Sequence, residues 1–223
     1  TNAKWLHLRT VVQLVSILAR NTPRSLRPDA PTLIMNILNV LAAIDGQEGE
    51  AEEVGESCLQ ALCALFGSCV APGTVPLEPV VKTALSLLRH DPNYAGYDDD
   101  DDDFPDDDDE LIMDNYSDDD DLSWKVRRSA AKLLSVLVST HLSALGELLV
   151  PISAGIVATV LDREETVRLE VLATFSTLLS QLQYDDADAF SENADSTSQK
   201  RKRNSDDLPM KLTGVRYVEP QLA

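Results

Sequence analysis

The sequence predicts an all-α protein, an α-solenoid of stacked helix pairs, and three observations carry that prediction. Apolar residues recur at helical spacing in stripes, the stripes return at a near-constant interval, and strand signals are absent. The chain has 223 residues, 43% of them hydrophobic but only 5% aromatic, which suits an aliphatic helical stack with a real core.

Taken in order, the first stripe is the weakest: His7, Val11, Val15 and Leu18. Its second helix is PTLIMNILNVLAAI (31–44), with Leu33, Ile37 and Leu41 on one face, and the Gly/Glu-rich loop IDGQEGEAEE follows. The next stripe is Val54, Cys58, Leu62 and Leu65, spaced +4, +8 and +11, which places all four on one side of a helix. Its partner is PLEPVVKTALSLLRH (76–90), lined by Val81, Leu85 and Leu88. The same spacing returns in Val126, Ala130, Leu134 and Leu137, partnered by GELLVPISAGIVATVL (146–161), where Pro151 either kinks the helix or fills its first turn. A fourth stripe, Val167, Val171, Phe175 and Leu178, has no second helix after it. An Asp stands five residues before each of the last two stripes (Asp121, Asp162), as helix starts favour. An Arg follows each opening Val (Arg127, Arg168), where the exposed flank is expected to begin.

The last two stripes lie 41 residues apart, whereas 72 separate the second from the third. The surplus of 31 equals the length of Asp91 to Asp121, so that segment is an insertion between repeats. The first stripe precedes the second by 47 residues, and the period matches HEAT and armadillo arrays. The expected organisation is therefore an α-solenoid of HEAT repeats, about three and a half helix pairs: two pairs over 1–90, an acidic disordered insertion over 91–121, one pair and a further first helix over 122–183, and a disordered polar tail over 184–223. The opening at Thr1 and the uncovered fourth helix lead to the expectation of a fragment.

Sixteen acidic residues fall within 98–121, and removing them from the formal charge of −19 leaves −3 for the rest. The acidity is thus local, and no nucleic-acid-binding surface is expected. The tract lacks the alternating ligands, turn Gly and closing Glu of a calcium loop, so no metal is expected there. It reads instead as a solvated loop or a lure for a basic partner, with Ser117 before four Asp as a candidate phosphorylation acceptor. Lys200, Arg201, Lys202 and Arg203 form a candidate nuclear-import signal, or a solvated charge run. No catalytic, cofactor-binding or metal residues are expected: His7, His90 and His141 lie in different repeats, and no nucleophile elbow or phosphate-cradling loop is present. Cys58, Cys63 and Cys69 form no CxxC pair and read as buried thiols of a reducing compartment, cytosol or nucleus, with Cys58 in the core stripe. Trp124 reads as a packing residue between repeats. No uninterrupted apolar run of membrane length is evident, so no membrane partner is expected.

The Asp-Pro-Asn-Tyr exit (Asp91 to Tyr94), the acidic insertion and the Ser-Trp-Lys-Val-Arg-Arg helix start (Ser123 to Arg128) together closely resemble the N-terminal half of the cullin-associated, neddylation-dissociated proteins, the CAND family. The strong resemblance covers about residues 85–183; earlier repeats are similar in layout, and after Gln183 the chain departs from the family. The resemblance implies a monomeric HEAT-repeat scaffold, not an enzyme and without cofactors, that acts in cytoplasm and nucleus. It would wrap a cullin-RING core, an unneddylated cullin with its RING protein, and promote exchange of substrate-receptor modules on ubiquitin ligases. This stretch would supply part of the binding arch. Exposed polar positions of the second helices, Asn36, Asn39, Lys82 and Arg89, are the candidate partner-binding residues. The competing expectation is a karyopherin-type nuclear transport receptor, which also carries acidic loops between HEAT repeats.

Overall fold

The computed structural model describes residues 2–44, 46–47, 49–90 and 122–183. The insertion over 91–121 with Ser117, and the tail over 184–223 with Lys200, Arg201, Lys202 and Arg203, lie outside the described residues. The fold is that of an all-helical repeat array, and no strand occurs among the described residues. Residues Thr1–Gln181 form one unit; a second, Leu182–Ala223, is described only at 182 and 183.

Helices α1 (Asn2–Asn21), α2 (Pro23–Leu26), α3 (Ala30–Ile44), α4 (Glu50–Ser68), α5 (Glu78–Leu88), α6 (Ser123–Leu145) and α7 (Leu149–Ala158) are followed by α8 over 165–183. The long first helices stack in one layer, α1 on α4 and α4 on α6, while the second helices α3, α5 and α7 stack in another. Each pair leaves an apolar side that only its neighbour covers, so stability comes from nearest-neighbour contacts.

Val54, Cys58, Leu62 and Leu65 are fully buried, as are Ala130, Leu134 and Leu137 beside Val126, and Val167, Val171 and Leu178 in α8. Leu85 of α5 comes so close to α7 that a Cβ on Gly155 would sit 2.5 Å from its Cδ2, so a glycine stands at the crossing. Pro151 falls in the first turn of α7, where its missing N–H costs no helical hydrogen bond.

Three expectations need correction. In α1 the buried residues are Val12, Ser16 and Ala19, whereas His7, Val11 and Leu18 are exposed and Val15 is half-buried. The stripe is displaced by one position because LHLRTVVQLVSILA is apolar around most of its circumference, and small residues meet α4 while larger ones face out. Residues 123–158 are also long and apolar enough, by length and composition, to cross a membrane. The stretch bends at His141 (φ −131°, ψ 21°) and turns through a 3-10 segment, Gly146–Leu148, and its Leu133, Leu134, Leu137, Val138 and Leu145 are core residues.

Arg127 is the third correction. Expected to open an exposed flank, it is 1% exposed. Its Nε donates to Asp162 Oδ2 at 2.8 Å and its Nη2 to Oδ1 at 3.2 Å, a bidentate pair that joins α6 to the loop before α8. Nη1 donates to the His90 carbonyl at 3.1 Å and to Ser123 Oγ at 2.8 Å. Asp162 Oδ1 also accepts the Glu164 N–H at 2.9 Å, ordering the approach to the next helix. The guanidinium nitrogens Nε, Nη1 and Nη2 each find an acceptor, on α6 itself, at the end of the preceding repeat or before the next one, which explains how a buried guanidinium is tolerated.

In the repeat that opens at Val54, the position five residues before the stripe and the position after its first Val carry Gly49 and Gly55, where the next repeat carries Asp121 and Arg127. Gly49 opens α4 at φ +69°, a conformation that favours glycine, and Glu52 supplies the carboxylate instead. Its Oε2 accepts the Gly49 N–H at 3.2 Å and its Oε1 lies 3.3 Å from His90 Nε2. Glu52, His90, Arg127 and Asp162 therefore form a polar line along one edge of the stack.

Replacing Arg127 by Ala strands Asp162 and is expected to lower the unfolding free energy by about 3–5 kcal/mol. Arg127→Lys should recover only part of this because an ammonium cannot form the fork. Urea unfolding followed by circular dichroism reads both variants.

Candidate functional site

A helix pair that buries one side of its second helix must present the other to solvent, and this array repeats that surface three times, on α3, α5 and α7. On α3, Ala30, Ile34, Ile37, Leu38, Leu41 and Ile44 turn inward. Asn36 and Asn39 lie on the opposite side, exposed, with Met35 next to Asn36 at 47% exposure. On α5, Val80, Val81, Ala84 and Leu88 are buried and Lys82 is exposed. Arg89 follows at the C-terminal end, also exposed. Asn36, Asn39 and Lys82 thus occupy solvent sides of adjoining helices, since α3 and α5 are in contact.

Arg89 has a different setting. It lines a cleft of about 440 Å³ between the ends of α5 and α7, with Leu88, Arg127, Ala158, Thr159, Leu161, Asp162 and Arg163. Leu161 is 90% exposed at this cleft. Sequence reasoning missed Arg163 and Leu161, although the Leu-Asp-Arg run after the α7 stripe marks where the corner exposes its side chains. It also missed the change of character along the second helices: in α7 the outward positions are Val150 and Val157 rather than Asn or Lys. The signal was present, because α7 is apolar on all sides.

The chemistry available at these surfaces is that of contact. Among the described residues no group of three or more His, Cys, Asp or Glu could hold a metal. Burial pushes the Cys58 and Cys63 thiols up to about 12, and Cys69 is raised for the same reason. Lys132 and Arg20 oppose the rise at Cys63 without overcoming it. All three cysteines are free thiols, and Cys69 Sγ lies 3.7 Å from the Ala19 carbonyl, a contact between α1 and the end of α4. Trp124 lies partly buried against the core, with Lys125 Nζ and Arg128 Cζ each 5.6 Å from its ring centroid, so its π face is engaged by neighbouring cations.

The chain is similar to "Cullin-associated NEDD8-dissociated protein 1" of Dictyostelium discoideum, 32% identical over 191 residues that cover 79% of this chain and 15% of that protein. It is similar also to "Cullin-associated NEDD8-dissociated protein 2" of Rattus norvegicus, 31% identical over 192 residues, 75% of this chain and 15% of the relative. A third relative, from Emericella nidulans, is named "Cullin-associated NEDD8-dissociated protein 1, C-terminal part" and is 37% identical over 159 residues, 60% of this chain and 15% of its own length. The chain thus spans about 15% of the length of these curated relatives. No family model matches it.

The burial of the thiols has a direct readout. At pH 8 the native chain is expected to leave the buried Cys58 and Cys69 almost unlabelled by a thiol-specific disulfide reagent over minutes, to label the half-buried Cys63 more readily, and to release all three in urea. Rapid stoichiometric labelling of Cys58 and Cys69 in the native state would contradict their placement.

Proposed function

The chain belongs to the family of the cullin-associated NEDD8-dissociated proteins, and on that premise we propose that it supplies one stretch of an arch that grips a cullin-RING core. The observation that carries this reading is the repeated solvent side of the second helices. It presents Asn36 and Asn39 on α3 and Lys82 on α5, with Arg89 at the cleft beyond. Such a surface recognises a partner by shape and distributed polar contacts over a large area, as extended solenoid faces do.

In this reading the partner is an unneddylated cullin with its RING protein, and the parent protein promotes exchange of substrate-receptor modules. A monomeric array with this division of labour would act in cytoplasm and nucleus. The names of the relatives, each cullin-associated and NEDD8-dissociated, support that choice of partner. The import-receptor reading gains no support from them.

Immobilised chain is expected to retain a purified unmodified cullin–RING heterodimer and to release it when the cullin carries NEDD8. Combined Asn36→Ala, Asn39→Ala, Lys82→Glu and Arg89→Glu substitutions should weaken retention by about tenfold, roughly 1.4 kcal/mol, with the urea midpoint unchanged. Equal retention by the variant would remove these four residues from the interface, and absence of any retention by the native chain would overturn the reading.

A further inference from the structure

The α6 helix bends at one residue, and that residue is a histidine. His141 has φ −131° and ψ 21° inside an otherwise helical stretch and is 1% exposed. Its ring meets Phe66 of α4 edge-on, with centroids 5.3 Å apart and planes at 82°. Thr140 Oγ1 lies 2.6 Å from Nδ1 and also donates to the Val136 carbonyl at 2.6 Å. With the hydroxyl proton committed to Val136, Nδ1 must carry the proton it shares with Thr140, so the neutral tautomer leaves Nε2 as a bare lone pair. Nε2 is buried with no hydrogen-bond partner. A second proton would therefore put a charge on a buried ring, with the Val70 carbonyl as the one nearby acceptor to offset the cost of that burial.

We propose that this bend is an acid-sensitive hinge: protonation of His141 opens the contact between the end of α4 and the last turns of α6 while the rest of the array stays closed. The groups that face the ring are Phe66 from α4, the Val70 carbonyl just beyond α4, and Thr140 from α6 itself. Among the described residues no charged side chain of α4, α5, α7 or 165–183 acts on the ring. Burial pushes the imidazole below its ordinary 6.5, and the Val70 carbonyl offsets this only in part. The sign follows. A folded-state value below the unfolded one means that the closed contact is fully stable above about 6.5 and weakens as pH falls toward the folded value. His7 is exposed and His90 Nε2 lies 3.3 Å from Glu52 Oε1, so both stand in settings different from that of His141.

Native-state hydrogen exchange on the 223-residue chain tests the hinge, read as protection factors so that the intrinsic chemical rate is divided out. Between pH 6.5 and 5.5 protection across residues 66–70 and 137–146 should fall by up to about tenfold, the most one proton can yield per pH unit, while α3 is unchanged. His141→Phe, which retains an edge-on aromatic contact, should abolish the fall. Persistence of the fall in that variant, or an equal fall in α3, would overturn the proposal. Should His141→Phe not fold, imidazole titration by NMR in the native chain decides: a His141 midpoint below the ordinary 6.5 supports the hinge, and one at or above 6.5 overturns it.

Discussion

A single guanidinium explains how this fold accommodates its most awkward stretch of sequence. The same Nη1 of Arg127 donates to the His90 carbonyl and to Ser123 Oγ, and these two residues bracket the 31-residue insertion with its seventeen acids. One side chain therefore ties together the two described ends between which the insertion lies in the sequence. Once two such ends are tied, lengthening the segment between them adds little to the cost of closure, because that entropy grows only with the logarithm of length. The other end of the guanidinium holds Asp162, so the group that ties these ends also locks α6 to the next repeat. An array stabilised by nearest neighbours has few long-range contacts to compensate for a lost joint, which gives this buried pair more weight than an isolated surface salt bridge would have.

The joints are not identical along the stack. Where Gly55 stands in the place of Arg127, the polar contact at the end of the repeat is made by Glu52 and His90 instead. The same substitution of means is visible on the outer surface. Asn36, Asn39 and Lys82 give way to Val150 and Val157 on α7, so the solvent side of the second helices is graded from polar to apolar. A partner lying along that side would meet different chemistry at each repeat while the backbone geometry stays constant.

Much of the architecture was legible because helical spacing leaves an unmistakable trace where one side is apolar and the other is not. Val54, Cys58, Leu62 and Leu65 are the clearest case, and all four are fully buried. Where a helix is apolar around its circumference the trace fails, which is why the α1 stripe was displaced by one residue. Arg127 was misread for a related reason: a charged residue following a core Val reads as surface unless its carboxylate partner, 35 residues away, is known to lie opposite. The outward positions of Asn36, Asn39, Lys82 and Arg89 followed from the same periodicity, but Arg89's place in a cleft with Arg163 and Leu161 depends on how α5 and α7 end, which spacing does not encode. The bend at His141 was equally hidden, since no Pro or Gly marks it.

The central claim is that a stack of helix pairs meets its partner along the second-helix layer. Hydrogen exchange of the chain with and without a saturating unmodified cullin–RING heterodimer tests it most directly. Added protection is expected in α3 and α5, with α1, α4 and the body of α6 unchanged. Protection confined to the first-helix layer would contradict it.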